Sequence, residues 1–280
     1  TRASSWENTA IIHMNTYKKL IEKPAEIINL NDYLVSPDED IPEPTPILSI
    51  KESGRKIPIF TEDNVSMIFG PAKSRKSALI RSICQTVLSG ENEKMYSNYY
   101  SNNIAVFDTE QSRFHCLRST RLIWNMTQQA SNYFCISTLN KDQKKKIVED
   151  FLIQNPDCGL VILDNIVHFV GDFNSAQESS EVTEWVLNMK SKYKTHILVV
   201  LHENASSGFI KPRGHLGTNL MNLCETAIRI QKDPNDKFQS IVSAALTRGR
   251  SFEDFALTMD DQMIPYLSDL SPYGKENFKL

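Results

Sequence analysis

The stretch that decides the fold reads Val65-Ser-Met-Ile-Phe-Gly70-Pro-Ala-Lys-Ser-Arg-Lys-Ser77. An apolar run typical of a buried strand leads into a short loop, and a helix-length segment begins at Lys76. Strand, loop and helix in this order are the context of a phosphate-binding loop of the pattern G-x-x-x-x-G-K-[ST]. In such a loop we expect backbone N–H groups to bind phosphate, Lys76 to reach the outer phosphates, and the Ser77 hydroxyl to bind Mg²⁺.

The loop departs from that pattern at one position, because Arg75 stands where the second glycine is expected. We expect a negative φ at Arg75 that directs its side chain outward and adds positive charge near the phosphates. The alternative is a Gly-Pro turn before a basic helix, and the departure leaves open how fast any bound nucleotide is hydrolysed. The residues assigned to nucleotide binding are Gly70, Pro71, Ala72, Lys73, Ser74, Arg75, Lys76 and Ser77.

Three later apolar runs end in polar side chains, and parallel strands bring such ends to one edge of a sheet. Glu110 follows the first run and is predicted to orient and polarise an attacking water. Asp164 ends the second run and is predicted, with Ser77, to hold Mg²⁺. His202 ends the third run and is predicted to sense the γ-phosphate. The alternatives are strand-end caps and a structural histidine.

Two pairs of cations follow the later strands. Lys211 and Arg213 lie in the acid-poor segment 205–218, which is a candidate for tracking a phosphodiester backbone and otherwise a mobile surface loop. Arg248 and Arg250 lie two residues apart and therefore on one face of an extended chain. They are expected either to form ion pairs within the subunit or to reach the γ-phosphate of a neighbouring subunit.

From about residue 56, short apolar runs alternate with helix-length segments, which predicts βαβ crossovers and a mostly parallel sheet. The predicted strands are 64–69, 103–108, 133–137, 160–164, 196–202, 226–231, 240–246 and 255–259. The predicted helices are 76–88, 113–128, 143–153 and 176–192. No helix-length segment separates the last three strands, which predicts an antiparallel C-terminal extension.

The first 55 residues are predicted to form an extended arm or linker. Residues 1–63 hold 11 acidic and 7 basic residues, a net charge of −4, whereas the whole chain carries −3. Residues 36–46 contain four prolines and four acidic residues, a composition that favours an extended tether. The alternative is an arm that docks on a neighbouring subunit. Two interpretations remain for residues 1–13: a native segment, or an addition before a natural start at Met14.

Composition excludes several classes of protein. With 40% hydrophobic and 23% charged residues among 280, the chain is neither collagenous nor disordered throughout. Its near-neutral charge excludes a surface covered in basic patches but not a local basic channel. The five cysteines include no C-x-x-C pair, which predicts a reducing, cytoplasmic location. No apolar run approaches the roughly 18 residues that span a bilayer, so no membrane is expected.

In the order of these motifs the sequence resembles the RecA-like ATPase superfamily, and within it most closely RepA-type hexameric replicative helicases and related ATPases of mobile genetic elements. The resemblance covers residues 56–262 and implies an α/β fold, a RecA-like phosphate-loop core with a mostly parallel sheet, in a domain spanning 56–280. It implies ATP and Mg²⁺ as cofactors and places a nucleic-acid loop at 206–216. It assigns the catalytic roles to Lys76, Glu110, His202, Arg248 and Arg250, with Lys211 and Arg213 contacting nucleic acid.

The function that this resemblance implies is a DNA-dependent ATPase, a helicase or translocase that binds single-stranded DNA and forms a homo-oligomer, with a hexameric ring as one form. An alternative from another class is a nucleotide-binding accessory or assembly protein with weak or no hydrolysis. A small-molecule kinase on the same loop is disfavoured, because the C-terminal end is rich in predicted strands and no lid segment is evident.

Overall fold

The computed structural model describes residues 29–101, 103–204 and 211–270, so the two interpretations of residues 1–13 fall outside the described residues. The chain divides into two units, residues 1–43 and residues 44–280. In the described part of the first unit, a single 3₁₀ turn spans Leu30–Asp32, and the Asn29 side chain accepts a hydrogen bond from the Asn31 N–H at its start. The second unit begins ahead of residue 56, because its first strand starts at Pro46.

The second unit alternates strands and helices. In chain order the elements are β1 (Pro46–Glu52), β2 (Arg55–Thr61), β3 (Val65–Gly70), α1 (Lys76–Ser89), β4 (Met95–Tyr96), β5 (Ile104–Asp108), α2 (Arg113–Thr127), β6 (Asn132–Cys135), α3 (Lys141–Gln154), β7 (Leu160–Asp164), α4 (Ala176–Tyr193), β8 (His196–His202), α5 (Gly214–Leu223), β9 (Thr226–Lys232), β10 (Ser240–Thr247), β11 (Phe255–Met259) and β12 (Pro265–Asp269). A 3₁₀ turn, Ile166–Phe169, follows β7. All eight predicted strands and all four predicted helices are present.

Nine strands form the main sheet, in the order β12-β11-β10-β9-β3-β8-β7-β5-β6. The six strands from β9 to β6 are parallel, and β10, β11 and β12 continue the sheet antiparallel, as predicted. The extension begins one strand later than predicted, because β9 pairs parallel with β3. The helix α5 makes this crossover possible, so the prediction of a loop up to residue 218 is wrong from Gly214 onward. Residues 205–210 of that loop lie outside the described residues.

A second sheet, in the order β2-β1-β4, packs with α1 on one face of the main sheet. The helices α3, α4 and α5 cover the opposite face, where their apolar residues join the second core cluster. The strand β1 falls in the range predicted as an arm because prolines dominate that stretch. Pro46 is the first residue of β1 and Pro58 lies in the edge strand β2, two positions where a sheet tolerates proline.

The strand order places four strand ends side by side. The carboxyl ends of β3, β8, β7 and β5 are consecutive in the sheet, and the register pairs Gly70 with His202 and Asp108 with Asp164. The loop after β3 and the acidic residues after β5 and β7 therefore meet at one edge. Across the described residues, no helix has the length and apolarity to cross a membrane. The five cysteines are all free thiols.

Candidate nucleotide site

The backbone of residues 70–77 forms a concave row of N–H groups. Lys73 and Arg75 have positive φ angles of 61° and 73°, which turn successive N–H groups toward the same side. Among the described residues, no backbone carbonyl accepts a hydrogen bond from the N–H groups of residues 73–77. Gly70 is required where the loop leaves β3, because a Cβ atom there would lie 2.0 Å from the Ile230 carbonyl oxygen. These free donors at the start of α1 can bind an anion.

The prediction of a negative φ at Arg75 is wrong, because this residue adopts the left-handed conformation that the pattern's glycine would have. Its side chain is held away from the loop by two hydrogen bonds: Nη1 donates to Ser240 Oγ at 2.9 Å and Nη2 to the Lys237 carbonyl at 2.9 Å. Ser240 Oγ in turn donates to the Ser74 carbonyl at 3.2 Å. Arg75 thus ties the loop to the β9–β10 connection, which offsets a conformational cost of roughly 1–2 kcal/mol.

This arrangement predicts a difference between two substitutions of Arg75. Arg75→Ala loses both hydrogen bonds and keeps the strained φ, whereas Arg75→Gly loses the bonds but relieves the strain. We expect Arg75→Ala to be less stable than Arg75→Gly by about 1 kcal/mol in urea unfolding. Equal stability of the two variants would contradict this account of the loop.

Lys76 lies almost buried inside the loop, 8% exposed. Its Nζ donates to the carbonyl oxygens of Gly70 at 3.0 Å and Pro71 at 2.9 Å, and it lies 3.2 Å from His202 Nδ1. Burial lowers the pKa of the Lys76 ammonium group, while the nearby carboxylates of Asp164 and Glu110 counter this shift. The cation is therefore stored at the base of the loop, within reach of the same edge as the two acids.

Glu110 is fixed by two neighbours at this edge. Asn165 Nδ2 donates to Glu110 Oε1 at 3.1 Å, and His202 Nε2 lies 3.5 Å from the same oxygen. Because an ammonium group has only donors, His202 Nδ1 accepts from Lys76 and the ring proton sits on Nε2, facing the carboxylate. The His202 contact, helped by Asn165, holds the pKa of Glu110 below its usual value despite burial. Glu110 is thus an ionised acceptor linked to Lys76 through one imidazole.

Asp108 shapes the turn that presents Glu110. Its Oδ1 accepts from the N–H groups of Glu110 at 3.0 Å and Gln111 at 2.8 Å, and the Tyr133 hydroxyl donates to its Oδ2 at 3.0 Å. Ser112 is the N-cap residue of α2, yet its side chain makes no capping hydrogen bond. The structural role that the sequence left open for this cluster therefore belongs to Asp108, and Glu110 is left facing the cavity.

Asp164 is buried without a hydrogen-bond donor to its carboxylate among the described residues. Burial first, and then the charges of Asp108 and Glu110, raise the pKa of Asp164 to about 7, although Lys76 opposes the shift. A lone buried carboxylate opposite a serine at a helix start fits one divalent cation that is completed by phosphate and water oxygens. In the described part of the chain no cluster of three or more His, Cys, Asp or Glu residues is arranged to hold a metal by itself.

These side chains line one cavity of about 370 Å³, which is large enough for a bound small molecule. The loop residues 73–78 form one wall, Glu110, Asp164 and His202 the second, and Met259 with Met263 the third. The structure therefore brings together all the predicted residues of the phosphate loop, the acids and the sensor.

The two predicted cation pairs lie apart from this cavity wall. Lys211 and Arg213 are exposed, and their segment runs antiparallel to the end of β8: the Asn204 N–H donates to the Lys211 carbonyl, and the Arg213 N–H to the His202 carbonyl, both at 3.0 Å. The Arg213 guanidinium lies 4.5 Å above the Phe173 ring centroid. The segment is therefore attached directly to the predicted sensor.

Arg248 and Arg250 differ in their surroundings. Arg248 Nη2 donates to the Leu223 carbonyl at 2.9 Å, at the C-terminal end of α5, where a cation is favourable. Arg250 is exposed, and no described residue forms an ion pair or hydrogen bond with its guanidinium. Of the pair, Arg250 is the one that is available to a second molecule.

Two residues at the cavity were missed in the sequence. Asn165 directly follows Asp164 and positions Glu110, and a polar residue immediately after a strand-end acid was the available signal. Arg81 also lines the cavity, nearly buried, and its Nε has no hydrogen-bond partner among the described residues. Arg81 lies four residues after Ser77 and so on the same face of α1, which helical periodicity alone could have indicated.

Comparison with known proteins gives the fold its class. No family model matches the chain, and no curated protein matches its sequence. The crystal structure of the RadB recombinase matches with a TM-score of 0.54 at 14% identity, covering 76% of this chain and 93% of that one. The solved ATPase domain of a helicase matches with a TM-score of 0.56 at 10% identity, covering 75% and 85%. Such low identity shows the fold alone, and that fold is RecA-like, as predicted.

Proposed function

We propose that this chain, with its RecA-like fold, hydrolyses ATP and couples hydrolysis to single-stranded DNA, as a helicase or translocase. Within the superfamily we place it with RepA-type hexameric helicases and the related ATPases of mobile genetic elements. The observation that carries the proposal is the Glu110 carboxylate, which is ionised, held by Asn165 and His202, and directed into the cavity behind the phosphate loop.

In the proposed reaction Lys76 leaves the carbonyl oxygens of Gly70 and Pro71 and binds the β- and γ-phosphates. The N–H groups of residues 73–77 bind the β-phosphate, and Ser77 with Asp164 holds Mg²⁺, which neutralises phosphate charge when bound. Glu110 accepts a hydrogen bond from the attacking water and orients it toward the γ-phosphorus. The Lys76–His202–Glu110 chain means that moving Lys76 also changes what His202 contacts.

The proposed output runs from His202 into the segment 206–216. Because the Arg213 N–H bonds the His202 carbonyl, a shift of the β8 end on γ-phosphate loss is transmitted directly to Lys211 and Arg213. We propose that these two cations grip a phosphodiester backbone. Arg250, with Arg248 beside it, is proposed to reach the γ-phosphate of an adjacent subunit, where an arginine supplied in trans stabilises the charge of the transition state.

A second candidate is a nucleotide-binding accessory or assembly protein with weak or no hydrolysis. The observation that favours it is the resting position of Lys76, whose ammonium group is fully engaged by two loop carbonyls and His202. If nucleotide does not displace these bonds, ATP serves as a structural ligand only.

The test is ATP turnover measured with and without a 20-residue oligothymidylate. We expect turnover to rise severalfold with DNA in the parent chain, and Lys211→Ala to reduce this rise without changing DNA-free turnover. Lys145→Ala, on α3, is the matched control. Solution mass is measured in parallel with a non-hydrolysable ATP analogue. A 31.9 kDa monomer under all conditions, together with DNA-independent turnover, would overturn the motor proposal in favour of the accessory protein.

A further inference from the structure

The outward face of α2 exposes large apolar side chains at helical spacing. Phe114 is 70% exposed, Leu117 44% and Trp124 47%, whereas Cys116, Ser119 and Ile123 on the other side of the helix are buried. Three such side chains on one helix face are more than the isolated surface apolar residue that needs no explanation. The function proposed above makes no use of them.

The same face is strongly basic. Arg113, Arg118 and Arg121 are all exposed and flank the apolar residues. Residues 111–131 contain no Asp or Glu, and neither does α1, the helix that packs beside α2. Within the described residues none of the three arginines forms an ion pair. We call this surface, formed by Arg113, Phe114, Leu117, Arg118, Arg121 and Trp124, the α2 face.

We propose that the α2 face binds single-stranded nucleic acid, with its arginines contacting phosphates and Phe114 and Trp124 stacking on bases. Interleaved cations and aromatic rings are the two elements of sequence-independent single-strand binding. Ten residues of helix place the two rings about 15 Å apart along the axis. That length corresponds to about four stacked nucleotides at roughly 3.4 Å each.

A rigid helix without acidic residues suits this ligand better than it suits an acidic protein segment, because flat rings and spaced guanidinium groups match repeating bases and phosphates. The α2 face also lies close in sequence to the reaction centre, since Arg113 follows Glu110 by three residues. Nucleic acid on this face would therefore contact the element that follows the Glu110 turn. The inference goes beyond the proposed function and does not depend on hydrolysis.

The charge contribution is tested by fluorescence anisotropy of a labelled 20-residue oligothymidylate, without nucleotide. We expect the triple variant Arg113→Ala, Arg118→Ala, Arg121→Ala to bind about 10–100-fold more weakly at 0.1 M NaCl than the parent. The slope of log affinity against log salt should fall in magnitude by about 2, for three phosphates released. The matched control removes three cations from α3, Lys141→Ala, Lys145→Ala and Lys146→Ala, and should change affinity less than twofold.

The stacking contribution is tested by Phe114→Ala and Trp124→Ala. Each is expected to weaken binding by about 5–100-fold with an unchanged salt slope. Phe238→Ala, which removes a ring that is 68% exposed on the β9–β10 connection, is the control and should have no effect. Thermal unfolding of every variant checks the fold, and the single variant Arg121→Ala replaces the triple one if the latter unfolds.

Two results would overturn the inference. One is parental affinity and salt slope in both the arginine and the aromatic variants. The other is unchanged DNA affinity with a lowered solution mass, which would show that the α2 face is an interface between copies of this chain. Failure here is separable from failure of the proposed function, because the latter is measured as ATP turnover and its stimulation through Lys211.

Discussion

Glu110→Gln is expected to lower ATP turnover by about 10²–10⁴-fold, the usual contribution of a positioned acid or base. Glutamine has the same shape and still accepts a hydrogen bond from Asn165, so the site keeps its geometry. It cannot polarise a water as a carboxylate does, and it cannot form a charge-assisted contact with His202. Nucleotide affinity should therefore change less than about threefold while turnover is lost. Steady-state hydrolysis and binding of a fluorescent ATP analogue measure the two quantities.

The control is Glu181→Gln, an exposed residue on α4 on the opposite side of the sheet, whose turnover should equal that of the parent. Retained turnover in Glu110→Gln would remove Glu110 from the reaction. Loss of both turnover and nucleotide binding would instead assign Glu110 a structural role in the cavity. Only selective loss of turnover supports the hydrolytic function over the accessory one.

The sequence was sufficient for those parts of the fold that follow local rules. Apolar runs alternating with helical periodicity predicted the parallel strands and four helices, and the ends of β3, β5, β7 and β8 follow from their being parallel. The helix α5 escaped because it contains two glycines, Gly214 and Gly217, and its first turn resembles a loop. Tertiary packing of Leu216 and Leu220 into the core overrides that local preference.

The site was predictable to a different extent. Lys76, Ser77, Glu110, Asp164 and His202 were each indicated by position, and the structure places them around one cavity. Their connections were not predictable, because they join residues distant in sequence.

Arg75 shows why. Its partner Ser240 is 165 residues away, so nothing in the local pattern reveals that an arginine at a glycine position is secured by the β9–β10 connection. The same holds for the Lys76–His202 contact, which spans 126 residues. Local sequence specifies which side chains reach the sheet edge, but only the folded chain specifies which of them touch.

Asp164→Asn is expected to stabilise the nucleotide-free protein while abolishing Mg²⁺-dependent turnover. The pKa of Asp164 is raised from 3.8 to about 7 by burial and by Asp108 and Glu110. The folded state therefore binds this proton more tightly than the unfolded state does, and the ionised carboxylate opposes folding above pH 7. That penalty shrinks as pH falls from 7 toward 4. With a penalty of about 2 kcal/mol, Asp164→Asn should raise Tm by about 4–8 °C at pH 8.

The pH dependence separates this explanation from a general gain in packing. At pH 5 the parental carboxyl is already protonated in the folded state, so the gain in Tm of Asp164→Asn should be less than half of that at pH 8. Asp150→Asn, which disrupts an exposed ion pair with Lys146, should change stability by less than about 1 kcal/mol and in the destabilising direction. Mg²⁺ with a non-hydrolysable ATP analogue should raise the Tm of the parent and not that of Asp164→Asn. An equal gain at both pH values would mean that Asp164 carries no uncompensated charge, and the cation site would then have to be sought without it.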